Sequence, residues 1–113
     1  MISDELKGFI KRENARLNDK FFDGRGDGNE RLLAAMVKLS EEVGELSDEA
    51  LARCRLQRAG KMAKRNDETF AEELSDVLIT VLLVAEVAGL DYEPVLRAKI
   101  AKINSRSDYG LPA

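Results

Sequence analysis

Two groups of acidic residues in this sequence have a spacing that could bind a cation. The first group contains Glu41, Glu42 and Glu45, and the second contains Glu73 and Asp76. Both groups lie inside apolar runs with helical spacing, and residues three apart share one face of a helix. Each group therefore places a pair of carboxylates at the border of an apolar face. Carboxylates in that position repel one another and lose hydration unless a cation neutralises them.

The composition narrows the kind of cation. The chain contains no histidine and one cysteine, whereas zinc and the softer transition metals favour imidazole or thiolate ligands. The lack of histidine also argues against a di-iron site built on Glu-x-x-His pairs. An all-carboxylate site favours Mg²⁺, Mn²⁺ or Ca²⁺, and Mg²⁺ held by a few carboxylates is typical of enzymes that act on phosphate substrates.

A cationic ridge near the end of the chain fits the same chemistry. Lys99, Lys102 and Arg106 recur at helical spacing, and Asn104 lies nearby. Such side chains neutralise phosphate oxygens that a metal leaves uncovered. Because no activated serine, cysteine or histidine is evident, metal-activated water with a nearby glutamate as general base is the favoured mechanism. The alternative is a solvated acidic surface, but two acid pairs on strongly apolar helices favour a site.

Helical periodicity predicts the elements that must position these groups. A first helix is expected after Ser3 and before the turn-forming stretch 23–28, and a second from near Asn29 to about Arg58. A third should run from residue 66 or 67 to Gly89, and a fourth should open at residue 91 or 92. Residues 59–66 form a basic connection, either solvated or able to close over phosphate. Residues 77–85 are apolar nearly all round, which predicts burial in a bundle or in a subunit interface. No strand pattern occurs, so the sequence predicts one all-α domain over residues 1–113.

The bulk properties exclude several other functions. A net charge of −3 gives no electrostatic case for binding nucleic acid or an anionic membrane. No apolar run reaches the ~20 residues of a membrane span, and the acidic N-terminus does not resemble a signal peptide. The lone Cys54 is expected to be a small buried residue in a reducing cytoplasm.

The acidic pattern resembles that of a known family. Glu41-Glu42-x-x-Glu45, a spacer of 27 residues and Glu73-x-x-Asp76 are similar to the E-E-x-x-E…E-x-x-D motif of the all-α nucleoside triphosphate pyrophosphohydrolases, with the MazG-like branch the closest. The resemblance covers about residues 29–106. It implies a four-helix-bundle-like fold that oligomerises through its helices, as a homodimer or homotetramer with sites near subunit interfaces.

The resemblance also implies roles for individual residues. Mg²⁺, with Mn²⁺ as a substitute, would be bound by four acids: Glu42, Glu45, Glu73 and Asp76. Glu41 would be an auxiliary acid or the general base. Contacts to the triphosphate would come from Lys99, Asn104 and Arg106, with Lys102 as an alternative on the same ridge. Candidates for a base pocket on the first helix are Asn14, Asn18, Phe21 and Phe22.

The activity that the resemblance implies is hydrolysis of a (deoxy)nucleoside triphosphate to the monophosphate and pyrophosphate. Many members of the family remove unwanted nucleotides, which is a house-cleaning role. Two alternatives stay open at this point. One is phosphoribosyl-ATP pyrophosphohydrolase activity from the same superfamily. The other is a helical protein-interaction module whose acids only keep it in solution.

Overall fold

The computed structural model describes residues 1–106 as a chain of five helices. They are α1 (Asp4–Phe22), α2 (Gly28–Arg53), α3 (Ala59–Met62), α4 (Asp67–Val87) and α5 (Tyr92–Asn104). No strand occurs between residues 1 and 106, which confirms the all-α prediction. None of the helices in this range is long and apolar enough to cross a membrane.

Local capping explains where most helices begin and end. Ser3 accepts a hydrogen bond from the backbone of Leu6, as expected for the N-cap of α1. At the start of α4, Asn66 and Thr69 form a reciprocal capping box. Gly89 adopts a φ of 70° just after α4, where a left-handed residue lets the chain turn away. These boundaries agree with the periodicity of the sequence.

The predicted end of α2 at about Arg58 is wrong, because α2 ends at Arg53. Arg55 adopts a left-handed φ of 57°, and the backbone N–H of Leu56 reaches back to the carbonyl of Leu51 at 2.8 Å. This is the usual helix-ending arrangement, with arginine in the position that glycine commonly takes. Cys54 caps the helix and is exposed, which corrects its predicted burial.

The helices pack mainly as an antiparallel pair, α2 against α4, with α1 lying on α4. Lys11 of α1 contacts Glu86 of α4 at 3.5 Å. The N-terminal region is joined to α5 through Glu93, whose carboxylate accepts hydrogen bonds from the Ile2 backbone at 2.8 Å and from Lys7 at 2.9 Å. Of the helices described, α5 does not pack along the α2–α4 pair.

A single chain buries little apolar surface. Its radius of gyration is 17.5 Å, against about 13 Å for a compact domain of roughly 100 residues. Within residues 1–106, Ile10 is the buried apolar side chain, and the other buried residues are polar. Leu74 and Leu78 of α4 are 51% and 57% exposed. The face of α4 that carries Leu74 and Leu78 is therefore not covered within one chain. A position at the centre of a single-chain bundle does not account for these two apolar residues.

Candidate metal centre

Three carboxylates converge across the seam between α2 and α4. One oxygen from each of Glu42, Glu73 and Asp76 lies within 4.8 Å of the others. Glu73 and Asp76 share a face of α4 because they are three residues apart, and Glu42 approaches from α2. Two ligands on opposite sides of one Mg²⁺ or Ca²⁺ ion are about 4–5 Å apart, given metal–oxygen distances of about 2.0–2.6 Å. The spacing of these oxygens therefore fits a hard divalent cation.

Two carboxylate oxygens of this cluster are buried without a hydrogen-bond partner among the described residues. Oε2 of Glu42 and Oε2 of Glu73 are inaccessible to solvent and have no hydrogen-bond partner among the described residues. Glu42 as a whole is only 7% exposed. Buried polar atoms are nearly always partnered in folded proteins, and an unpaired buried acceptor is unfavourable. A cation bound between the two carboxylates would satisfy both atoms.

The electrostatics of the site agree with this geometry. Burial raises the pKa of Glu73 above its usual value, and the neighbouring carboxylates of Glu45 and Asp76 raise that pKa further. Loss of hydration and nearby negative charge both disfavour the ionised form of a carboxyl group. The cluster is thus an electrostatically unfavourable arrangement that a divalent cation would relieve.

The remaining acids of the motif lie at the border of the cluster. Glu45 is exposed and lies outside the group of three converging carboxylates, although it is close enough to affect the pKa of Glu73. The Glu41 side chain is 60% exposed and lies 3.7 Å from the ammonium of Lys38. The structure therefore does not include these two acids in the converging group of carboxylates among the described residues.

Lys38 is a residue of this site that the sequence analysis did not identify. Its ammonium lies 3.2 Å from Oε1 of Glu42. This contact raises the pKa of Lys38, mainly through the hydrogen bond and attraction to Glu42. The i,i+4 spacing of the two residues on α2 was the available signal.

A second polar cluster lies two helical turns from the first. Glu49 is 6% exposed and follows Glu42 by seven residues, on the same face of α2. Its carboxylate accepts a hydrogen bond from the Thr69 hydroxyl at 2.9 Å and lies 3.2 Å from Nη1 of Arg65. The sequence analysis did not identify this cluster either. The basic connection is thus fastened to α2 through Arg65.

The cations predicted to contact substrate lie elsewhere. Lys99, Lys102, Asn104 and Arg106 are all exposed on α5 or just after it. Since α5 does not pack along the α2–α4 pair in the described part of the chain, one chain does not bring this ridge against the acidic seam.

The base-pocket candidates occupy the second half of α1. Asn14 accepts a hydrogen bond of 2.6 Å from Arg31 of α2. Oδ1 of Asn18 is buried and without a partner among residues 1–106. Phe21 is 65% exposed, whereas Phe22 is partly buried. Of these four, Asn18 has the polar atom that most clearly needs a partner.

The fold and site define a class of all-α proteins in which two antiparallel helices present a cluster of carboxylates suited to a divalent cation. Residues 30–111 match the family model described as the MazG nucleotide pyrophosphohydrolase domain. The match includes both acidic motifs, and the chain belongs to this family. Neither the curated proteins nor the solved structures contain a match to the chain.

Proposed function

We propose that this protein hydrolyses (deoxy)nucleoside triphosphates to the nucleoside monophosphate and pyrophosphate, with Mg²⁺ as the metal and Mn²⁺ as a substitute. The family assignment supports nucleotide pyrophosphohydrolase activity. The observation that carries the proposal is the convergence of Glu42, Glu73 and Asp76, together with the unpartnered buried oxygens of two of them. An all-oxygen donor set of this kind suits Mg²⁺ better than zinc or softer metals.

The proposed mechanism assigns different tasks to the acids. Glu42, Glu73 and Asp76 hold the cation in the seam, and Glu45 at its border completes the set. When bound, the cation polarises the phosphoryl oxygens and lowers the pKa of a water molecule. Glu41 is the auxiliary acid, and either it or Glu45 accepts the proton of the attacking water as general base. The packing of α2 against α4 supports this division of tasks, because it holds the backbones that carry the acids in a defined arrangement.

The substrate contacts come from the cationic ridge of α5. Lys99, Lys102, Asn104 and Arg106 neutralise the triphosphate, which carries more negative charge than one metal ion offsets. Within one chain the ridge does not pack against the seam. We therefore propose that a second copy of the chain brings its α5 close to the acidic cluster.

Dimerisation is supported by the surface that one chain leaves uncovered. Leu33 and Val37 of α2 are 67% and 60% exposed, and Leu74 and Leu78 of α4 are similarly exposed. Each pair is spaced four residues apart and so shares one helix face. Two copies that pair these faces would form a four-helix bundle from two α2–α4 pairs. A dimer, alone or doubled into a tetramer, is the proposed assembly, and removal of unwanted nucleotides is the proposed role.

The test is release of pyrophosphate from a panel of canonical and modified NTPs and dNTPs, measured with Mg²⁺ and with EDTA. We expect Mg²⁺-dependent release with the monophosphate as co-product. Glu73→Gln should lose this activity, whereas Glu72→Gln, an identical charge change at the exposed neighbour, should keep it. The absence of pyrophosphate release from every compound in the panel would contradict the proposal. Pyrophosphate release from phosphoribosyl-ATP would then indicate the related pyrophosphohydrolase. No release from that substrate either would favour a helical interaction module.

A further inference from the structure

We propose that Lys38 is an internal counter-ion of the acidic cluster, and that a divalent cation displaces its ammonium from Glu42 on binding. This inference rests on the metal centre of the proposed function and adds a residue that controls its cation affinity. Lys38 and the metal then compete for the same carboxylate. Removal of the Lys38 charge should therefore strengthen binding of the divalent cation, whereas removal of most residues at a binding site weakens it.

The geometry places the ammonium on a carboxylate that the metal needs. Nζ of Lys38 is 3.2 Å from Oε1 of Glu42, while Oε2 of the same carboxylate is buried and unpartnered among the described residues. One oxygen of Glu42 is thus paired with lysine, and the other is buried without a partner in a carboxylate that belongs to the converging group. A cation in the cluster would lie within a few ångströms of a positive charge. Like charges at that distance repel, and the charge of a divalent ion doubles the effect.

The structure also offers the displaced ammonium another partner. The Glu41 carboxylate is 3.7 Å from Nζ of Lys38 and its side chain is 60% exposed. Because Glu41 and Glu42 lie three and four residues after Lys38, both are within reach of the same flexible side chain. A rotation of the lysine side chain would transfer its charge from Glu42 to Glu41 without a change in the backbone.

The strengths of the two interactions favour the exchange. The Lys38 side chain is 59% exposed, and ion pairs with such an exposed partner contribute little because water screens them. A divalent cation held by three carboxylates gains attraction to each of them. Lys38 therefore stabilises the acidic cluster when no metal is bound, and its ammonium moves away from Glu42 when a metal binds.

Calorimetric titration of Mn²⁺ into four proteins tests the exchange. We compare wild type, Lys38→Met, Lys38→Arg and Lys7→Met. Lys7 forms an ion pair of 2.9 Å with Glu93. Lys7→Met is therefore the matched control, because it also removes an ion-paired lysine but at a position outside the acidic cluster. Lys38→Met should bind Mn²⁺ roughly 3- to 20-fold more tightly than wild type. Lys38→Arg and Lys7→Met should stay within about twofold of wild type.

Thermal unfolding supplies a second readout. In EDTA, Lys38→Met should unfold at a lower temperature than wild type because Glu42 loses its counter-ion. In saturating Mn²⁺ this difference should vanish or reverse, whereas Lys7→Met should be equally affected in both conditions. Unchanged or weaker Mn²⁺ binding by Lys38→Met, with normal binding by wild type, would overturn the exchange and leave the metal centre standing. Failure of wild type to bind any Mn²⁺ or Mg²⁺ would overturn both.

Discussion

The hydroxyl of Thr69 donates a hydrogen bond of 2.9 Å to Oε2 of Glu49, which ties the first turn of α4 to the buried face of α2. Glu49 lies two turns after Glu42, and Thr69 lies one turn before Glu73, in each case on the same helix face. The bond therefore joins α2 and α4 close to the point where Glu73 meets Glu42. We expect this contact outside the acidic cluster to help position two of its carboxylates.

Thr69→Val tests this role because it removes the hydroxyl at nearly constant volume. It leaves the Glu49 oxygen without its donor and breaks half of the capping box, so we expect a loss of about 1–3 kcal/mol in the free energy of unfolding. Urea unfolding measures the loss, and Mn²⁺ titration should show weaker binding. Thr69→Ser retains the hydroxyl and should stay close to wild type in both. Equal cation affinity in Thr69→Val would show that the bond stabilises the fold without positioning the site.

Glu73→Gln should make the protein more stable in EDTA and abolish stabilisation by Mg²⁺. The pKa of Glu73 is raised from 4.5 by burial and by Glu45 and Asp76. Since the folded state binds this proton more tightly than the unfolded state, its contribution to stability falls as pH rises from 4.5 through the raised pKa. At neutral pH the charge opposes folding, and glutamine removes it.

Thermal unfolding of wild type and Glu73→Gln at pH 4.5 and pH 7, each with Mg²⁺ or EDTA, measures these effects. The advantage of the variant in EDTA should grow between the two pH values. Glu72→Gln is the control, because it makes the same charge change at an exposed position of α4. A loss of stability in Glu73→Gln at pH 7 in EDTA would contradict the electrostatic account of the cluster.

Glu93 should make the protein sensitive to acid. Hydrogen bonds from the Ile2 backbone, from Lys7 and from the N-terminal ammonium lower the pKa of Glu93 to about 2. A lowered pKa means that this stabilisation is present above the ordinary value of 4.5 and is lost as pH falls towards about 2. Glu93→Gln should therefore be less stable than wild type at pH 7, with a difference that shrinks between pH 4.5 and pH 2. Urea unfolding across that pH range measures the difference in stability between wild type and Glu93→Gln. A difference that stays constant with pH would contradict the lowered pKa of Glu93. Glu5→Gln, which changes an exposed acid of α1, is the control.

Leu78→Glu tests the proposed pairing of two chains. A charge in a buried apolar interface is unfavourable, so the variant should dissociate at a concentration at least about tenfold higher than wild type. Sedimentation velocity over a range of concentrations measures this. Leu56→Glu is the matched control, since Leu56 is 73% exposed but lies in the connection after α2. Equal association of both variants, or a monomeric wild type, would contradict an interface on this face of α4.

The sequence by itself determined the local features of this protein. Helical spacing and capping residues such as Ser3 and Gly89 predicted the main helices, because these signals act within a few residues. The end of α2 was missed since Arg55 occupies a left-handed position where no glycine marked the turn. The acidic motif also indicated the family, which the match over residues 30–111 confirms.

The tertiary structure decided which side chains meet. Helical periodicity assigns a residue to a face of its own helix, but it does not state the register between two helices. Only the packed α2–α4 pair shows that Glu42 joins Glu73 and Asp76 while Glu45 lies at the border. The same packing buries Glu49 against Thr69, and the side-chain conformation sets Lys38 on Glu42. Contacts between residues far apart in the chain depend on how complete faces fit together, and that information is not contained in any one stretch of sequence.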